Sequence, residues 1–204
     1  METGSRLPIS HAAVTLRMGA GRGGTLAILK IARMGHPVLR RPALPVEEPI
    51  PAVVRQLAQD MIETMIDSSG VGLAAPQVHV GWRVIVFRVP AERAGGDGVA
   101  AQVLVNPVVE PLSEEMQFGW EGCLSIPGLR GAVPRYNHIR YRGLALDGSV
   151  VEREARGFHA RVVQHECDHL DGVLYLDRMD DLRFLSFTEE MKYFGTDSVP
   201  RLPG

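Results

Sequence analysis

An α+β fold is the expectation for this chain, and three features carry it. Two segments, 51–69 and 157–171, read as helices. Between them lie short runs rich in β-branched and aromatic residues. Two of those runs are joined by Asp147-Gly148, the dipeptide that a tight hairpin turn favours. Short, hairpin-linked strands flanked by two helices belong to the α+β class.

The first helix is predicted from Pro51 to Ser69. Val54, Leu57, Ala58, Met61, Ile62, Met65 and Ile66 recur at three and four residues and make one apolar face. Pro51 suits a first turn and Gly70 a stop. The segment Gly70-Val71-Gly72-Leu73-Ala74-Ala75-Pro76-Gln77 looks too small and glycine-rich to be a strand that packs by side chains. It reads as backbone brought close to something else, and it lacks the Lys-Ser/Thr ending of a phosphate loop. Arg83 to Val89 reads as a strand, and Ala91 to Val99, with four residues Gly95-Gly96-Asp97-Gly98, as a flexible loop. Val103 to Val105 is a short strand stopped at Asn106-Pro107. Glu121 to Ser125 is turn-like. His138 to Leu146 and Ser149 to Glu154 form the hairpin, and Gly157 to Asp171 is the second helix, ended by Gly172.

The bulk numbers set limits. A length of 204 residues suits one domain with tails. We expect a flexible extension over 1–25, a single catalytic domain over 26–195 and a mobile tail over 196–204. The extension has Glu2 as its lone acid, a bias shared by a transit peptide or a start assigned too early, since Met18 is a second candidate. Hydrophobic residues at 45%, charged at 23% and a net charge of −2 give no general nucleic-acid or membrane surface. No apolar run approaches the ~20 residues of a membrane span. Two cysteines, Cys123 and Cys167, permit a disulfide, but nothing else in the sequence argues for one.

The second helix carries His165-Glu166-Cys167-Asp168-His169, a His-Glu-x-x-His motif. With His165 at zero on the helical wheel, His169 falls at ~40°, on the same face, and Glu166 at ~100°, on its flank. Two imidazoles can then bind one ion while the carboxylate moves a proton. Cys167 falls at ~200°, pointing away, and reads as core filler. A catalytic ion usually has three protein ligands and one open position. From spacing alone the third ligand is Cys123 or a downstream acid, Glu189, which would make a peptidase-like set. His11, His36, His79, His138 and His159 have no ligand-spaced partner, so surface or structural roles are expected for them.

Three segments in order carry a resemblance. Gly-Val-Gly-Leu-Ala-Ala-Pro-Gln at 70–77, Glu-Gly-Cys-Leu-Ser at 121–125 and His-Glu-Cys-Asp-His at 165–169 resemble the three motifs of the peptide deformylase family. The likeness runs from about Ile28 to about Met179. It implies antiparallel sheets packed around a central helix that bears the two histidines. It implies removal of the formyl group from the N-terminal methionine of new polypeptides, with release of formate.

Carried over by position, the resemblance makes Cys123, His165 and His169 the ligands of one divalent ion. Fe2+ is implied in the cell, with Zn2+, Ni2+ or Co2+ in purified protein. Glu166 would take a proton from a water at the ion and return it to the leaving amine. The Gln77 side-chain amide and the Leu124 backbone N–H would steady the formyl oxygen. Gly72 and Gly122 would let backbone crowd the ion and substrate.

Val71 and Gly72 are expected to pair with an extended peptide. Phe158 and Val162 lie on the metal face and are expected to wall the methionine slot, with Val71 opposite. Arg161 also nears this face, so its stem is expected to pack at the pocket mouth with its charge in water. Arg130 is expected to contact the peptide chain. Asp168 is expected just outside the metal face, paired with Arg135, tying the cysteine segment to the histidine helix.

The implied partners are N-formylmethionyl nascent peptides and, where these emerge, the ribosome near its exit tunnel. The tail is not a recognisable basic helix for such docking. Neither nucleic-acid specificity nor a membrane is implied. The location implied is the bacterial cytoplasm, or an organelle if the extension is a transit peptide. Two other readings compete: a zinc peptidase using Glu189, and a binding module that keeps the fold without catalysis. The intact set of Cys123, His165, His169, Glu166 and Gln77 argues against the module.

Overall fold

The structure is a computed structural model that describes residues 27–194 apart from Gly95 and Asp97. The expected extension at 1–25 and tail at 196–204 lie outside the described residues.

Helix α1 (Ala52–Asp67) buries Val54, Ala58, Met61 and Met65, the stripe that its sequence spacing predicts. Its ends differ from expectation. Pro51 precedes the first turn instead of sitting in it. The left-handed residue that ends the helix is Ser69, at φ 54°, and not Gly70. Gly70 N–H still closes the end by donating to Met65 C=O at 2.8 Å.

The glycine segment that follows does form a strand. Strand β1 (Gly72–Ala74) pairs antiparallel with β2 (Val84–Val89), Gly72 opposite Phe87. The sequence reading failed here because Leu73 and Ala74 are fully buried and do pack by side chains. One helical turn, α2 (Ala91–Ala94), interrupts the loop expected at 91–99. Strand β3 (Val99–Pro111) is longer than predicted and runs straight through Asn106-Pro107. A bulge between Val105 and Val108 absorbs the proline, with Asn106 at φ 51°. The Asn106 side chain accepts from Val46 N–H and donates to Val46 C=O, both at 2.8 Å, so the bulge is pinned to the segment before α1.

Strands β4 (Met116–Cys123) and β5 (Ile126–Tyr136) form a long hairpin where sequence predicted only a turn. Strands β6 (His138–Leu144) and β7 (Val150–Arg156) form the predicted hairpin. Gly148 at φ 87° makes its turn, and Asp147 accepts from Ser149 N–H at 2.9 Å. Helix α3 (Gly157–Leu170) follows, and a short β8 (Leu185–Phe187) closes the described chain's strands.

Two antiparallel sheets result, ordered β1-β2-β3-β6-β7 and β4-β5-β8. Helix α3 lies between them. One face, Ala160, Val163, Cys167 and Leu170, packs on Ile85, Phe87, Leu104 and Ile139 of the larger sheet. Each large apolar side chain so buried contributes about 1.5–3 kcal/mol. The other face meets β4 and β5 through hydrogen bonds rather than apolar contact. Cys167 lies on the apolar side, as predicted, and both cysteines are free.

Candidate metal centre and active site

Helix α3 places His165 and His169 one turn apart, with ring centroids 5.1 Å apart. Strand β4 ends at Cys123, opposite Ile126, so the tight turn through Leu124 and Ser125 projects the thiol toward the helix. One ligand atom each from Cys123, His165 and His169 lies within 4.8 Å of the others. Cys123 Sγ is 3.3 Å from His169 Nε2. Sulfur and nitrogen on one tetrahedral ion would stand about 3.6 Å apart at ordinary bond lengths. Glu189 is exposed on the turn at Thr188–Tyr193 and outside this group, which removes the peptidase-like ligand set.

The charge state of the trio also suits a cation. Burial opposes ionisation of Cys123, but His169 and His165 beside it hold its thiol well below the ordinary range. Burial opposes protonation of His165, yet hydrogen bonds to Cys123 and Glu121 raise it well above its usual value. A thiolate beside a His165 imidazole that holds its proton is a pair in which a divalent ion would displace the proton and keep the sulfur as ligand.

A residue that the sequence reading did not single out organises these ligands. Glu121 Oε2 accepts from His165 Nδ1 at 2.8 Å, leaving Nε2 for the site. Glu121 also accepts from Arg135 Nε at 2.8 Å, Arg135 Nη2 at 3.0 Å and Arg161 Nη1 at 2.8 Å. Burial raises its carboxyl, but Arg135 and the bonds from Arg135 and His165 outweigh burial and hold it well below the carboxylate range. The signal in sequence is weak: Glu121 stands two residues before Cys123 in a segment that reads as turn-like, and a register irregularity between Gly122 and Cys123 breaks the simple alternation of the strand.

Arg161 corrects an expectation. Its charge is not in water but buried, donating to Gln117 C=O at 2.6 Å and Val133 C=O at 2.7 Å as well as to Glu121. A Cβ on Gly119 would stand 2.8 Å from its guanidinium, so the glycine makes room for it.

Arg135 Nη1 donates to Asp168 Oδ2 at 2.6 Å, joining β5 to α3. Neither partner is exclusive. Arg135 holds Glu121, and Asp168 also accepts from Arg178 Nη2 at 2.6 Å.

A cavity of about 340 Å³ opens on the centre. Val71, Gly72, Gln77, Leu124, Arg130, Phe158, Val162 and Glu166 line it together with Cys123 and His165. Glu166 is buried, its Oε2 has no partner, and burial pushes its carboxyl up to about 7 against the pull of His165 and His169. A Cβ on Gly72 would come within 2.1 Å of Glu166 Oε1, so only glycine leaves that carboxylate its place. Gly122 has no such crowding, its nearest neighbours lying at 3.6 Å. Gln77 Oε1 accepts from Ala74 N–H at 2.8 Å, while its Nε2 donates to Ser125 Oγ at 3.1 Å and Cys123 Sγ at 3.4 Å. Gln77 thereby links β1 to the cysteine turn.

The remaining described histidines lie outside the ligand group. His159 lies within 3.2 Å of Tyr141 Oη, and His138 pairs with Glu154 at 3.0 Å. His36 and His79 meet edge to face at 4.7 Å. His11 lies outside the described residues.

Residues 28–184 match the family described as polypeptide deformylase. Among curated proteins, the chain is 54% identical over 161 residues to peptide deformylase 1 of Bordetella pertussis, covering 78% of this chain and 92% of that protein. It is 46% identical over 166 residues to peptide deformylase 1 of Nitrosomonas europaea, covering 80% and 94%. Among solved structures, it is similar to the Met-Ala-Ser-bound class I type b peptide deformylase of Acinetobacter baumannii. There the TM-score is 0.71 at 40% identity, covering 76% of this chain and all of that one (100%). The peptide deformylase of Thermus thermophilus gives a TM-score of 0.66 at 42% identity, covering 74% and 86%.

Proposed function

The chain belongs to the polypeptide deformylase family, enzymes acting on formyl-methionyl peptides, and from that premise we propose a metal-dependent hydrolysis of the N-formyl group of new polypeptides at Cys123, His165 and His169. The observation that carries this reading is the closeness of those three donors to a buried carboxylate, Glu166, whose Oε2 has no partner.

Cys123, His165 and His169 would hold one divalent ion, leaving its fourth position toward the cavity. The thiolate and two imidazoles suit iron, zinc, nickel or cobalt, and we assign Fe2+ as the cellular ion. When bound, the ion supplies Lewis acidity to the formyl oxygen and to a water.

The chain's own residues do the rest. Glu166, raised toward neutrality by burial, accepts a proton from the attacking water and passes it to the leaving amine. Gln77 donates its side-chain N–H toward the formyl oxygen, which competes for the donor now lying 3.4 Å from sulfur. Leu124 N–H is assigned as a second donor.

Val71 and Gly72 present backbone at the cavity rim for an extended peptide. Phe158 and Val162 supply apolar wall for methionine, and Arg130 borders the path beyond. The Acinetobacter relative was solved with Met-Ala-Ser bound, a peptide with methionine at its start. Glu121, Arg135 and Asp168 orient the ligand-bearing elements without touching substrate.

The test is formate release from formyl-Met-Ala-Ser by protein purified without oxygen, alongside metal analysis. We expect one ion per chain and turnover that a chelator abolishes. Turnover undiminished after complete removal of metal rejects the reading.

A further inference from the structure

Two guanidinium groups stand at the mouth of the cavity, and the reaction described above uses neither as an acid, base or ligand. Arg93, on the single turn α2, lays its Cζ 3.6 Å from the centre of the Phe158 ring. That stacking fixes the charge directly over the wall assigned to methionine, at a site where an exposed arginine would otherwise sample many rotamers. Arg130 runs along β5 opposite Gly122, and its Cζ lies 3.9 Å from where a Gly122 Cβ would stand. Arg130 thus lies within ordinary van der Waals reach of the Gly122 backbone, beside the cysteine turn.

Both arginines line the same cavity. They are close enough to feel each other: burial depresses the Arg93 guanidinium, and the charge of Arg130 adds to that depression. Among the described residues, neither makes a side-chain hydrogen bond or ion pair within 4.0 Å. The contrast with Arg161 in the same cavity wall is direct, since its charge is matched by Glu121. The other cavity carboxylate, Glu166, lines the cavity but is itself buried. Among the described residues the rim therefore carries two guanidinium charges with no acid at contact distance, Glu92 acting on Arg93 only from further away.

We propose that Arg93 and Arg130 form a cationic rim that selects formylated peptides bearing a carboxylate side chain within the two residues after methionine. A peptide leaving the methionine slot past Phe158 must pass under Arg93. Side chains of an extended peptide alternate in direction, so one of the next two residues faces the rim. An aspartate or glutamate there meets two guanidinium donors, whereas a lysine meets like charge. This rests on the deformylase reading above and adds its sequence preference.

The experiment compares four amidated peptides, formyl-Met-Ala-Ser, formyl-Met-Glu-Ser, formyl-Met-Ala-Glu and formyl-Met-Lys-Ser, with the metal-loaded full chain. Turnover of the first tests the deformylase reading alone. The ratios to it test the rim. We expect the better of the two glutamate peptides to exceed the lysine peptide in kcat/KM by about fivefold, mostly through KM, as fits partly exposed charges.

The advantage should shrink toward unity at high salt. Arg93→Glu should keep turnover of formyl-Met-Ala-Ser and reverse the order of glutamate and lysine peptides. Arg93→Gln should abolish most of the preference without reversing it. Equal kcat/KM for all four peptides, or a preference for lysine in the wild-type chain, overturns the proposal, as does a glutamate preference that Arg93→Glu leaves intact.

Discussion

Glu121 Oε2 accepts from His165 Nδ1 at 2.8 Å, and the same carboxylate takes three hydrogen bonds from Arg135 and Arg161. One buried acid thus sets the tautomer of a ligand histidine and pairs with two guanidinium groups, sharing Arg135 with Asp168. Glu121→Ala should weaken metal binding about 10–100-fold, as loss of a partner behind a ligand histidine does. It should also lower stability by about 3–5 kcal/mol, because two buried arginines lose their acid. Chelator competition and chemical denaturation read the two effects. Unchanged metal affinity in a folded variant would remove Glu121 from the site.

The same residue gives a pH dependence. Its folded carboxyl titrates below the ordinary 4.5, with burial opposing and Arg135 and His165 more than compensating. Near and below that value the unfolded chain binds the proton and the folded chain does not. The contribution to stability is therefore complete above about 4.5 and is lost as pH falls through the acid range. Chelated wild-type protein should lose stability more steeply below pH 5 than chelated Glu121→Gln, by a slope difference of up to about 1.4 kcal/mol per pH unit. Parallel slopes in acid denaturation would contradict the linkage.

Cys123→Ala should empty the centre or change its metal, while Glu189→Ala should leave metal content at the wild-type level. Metal analysis after purification distinguishes them, and the reverse outcome would restore the peptidase-like set.

Glu166 and Gly72 make a paired test. Glu166→Ala should retain the ion and lose turnover, since a proton carrier goes but no ligand. Gly72→Ala should lower kcat about 10²-fold with metal kept, because its Cβ would displace the Glu166 carboxylate from 2.1 Å. A Gly72→Ala enzyme at wild-type kcat would falsify the role given to that close approach.

Asp168→Ala should cost less than an isolated buried pair would. Arg135 keeps both its bonds to Glu121, so the loss is one buried donor and the Arg178 contact, about 1–3 kcal/mol by denaturation. A cost of ~5 kcal/mol or more would mean that Asp168 alone holds Arg135 in place.

What could be read from sequence divides along the two faces of α3. The apolar face obeys periodicity, so Cys167 was correctly placed in the core and the β6–β7 hairpin was found from Asp147-Gly148. In the smaller sheet, β4 does alternate, with Met116, Phe118 and Trp120 against Gln117, Gly119 and Glu121, whereas β5 is broken up by Pro127, Gly128, Gly131 and Pro134. The alternation of β4 misleads because it is the polar member Glu121 that is turned inward, toward the buried Arg161. Arg161 was misplaced for the same reason: a charge looks solvent-bound until its buried partner is known. Strand β3 was cut short at Asn106-Pro107 because a bulge that tolerates proline has no one-residue signature.

The separation of 46 positions between Cys123 and His169 has a consequence for how the protein matures. Helix α3 can assemble two ligands by local coiling, but the third arrives only when β4 docks across the helix. During synthesis, one of the three ligands is made before the other two exist. An ion captured at full affinity therefore certifies that the distant docking is complete. Because that capture free energy becomes part of the folding free energy, iron or zinc supply should govern the yield of mature chains as well as the rate of each one.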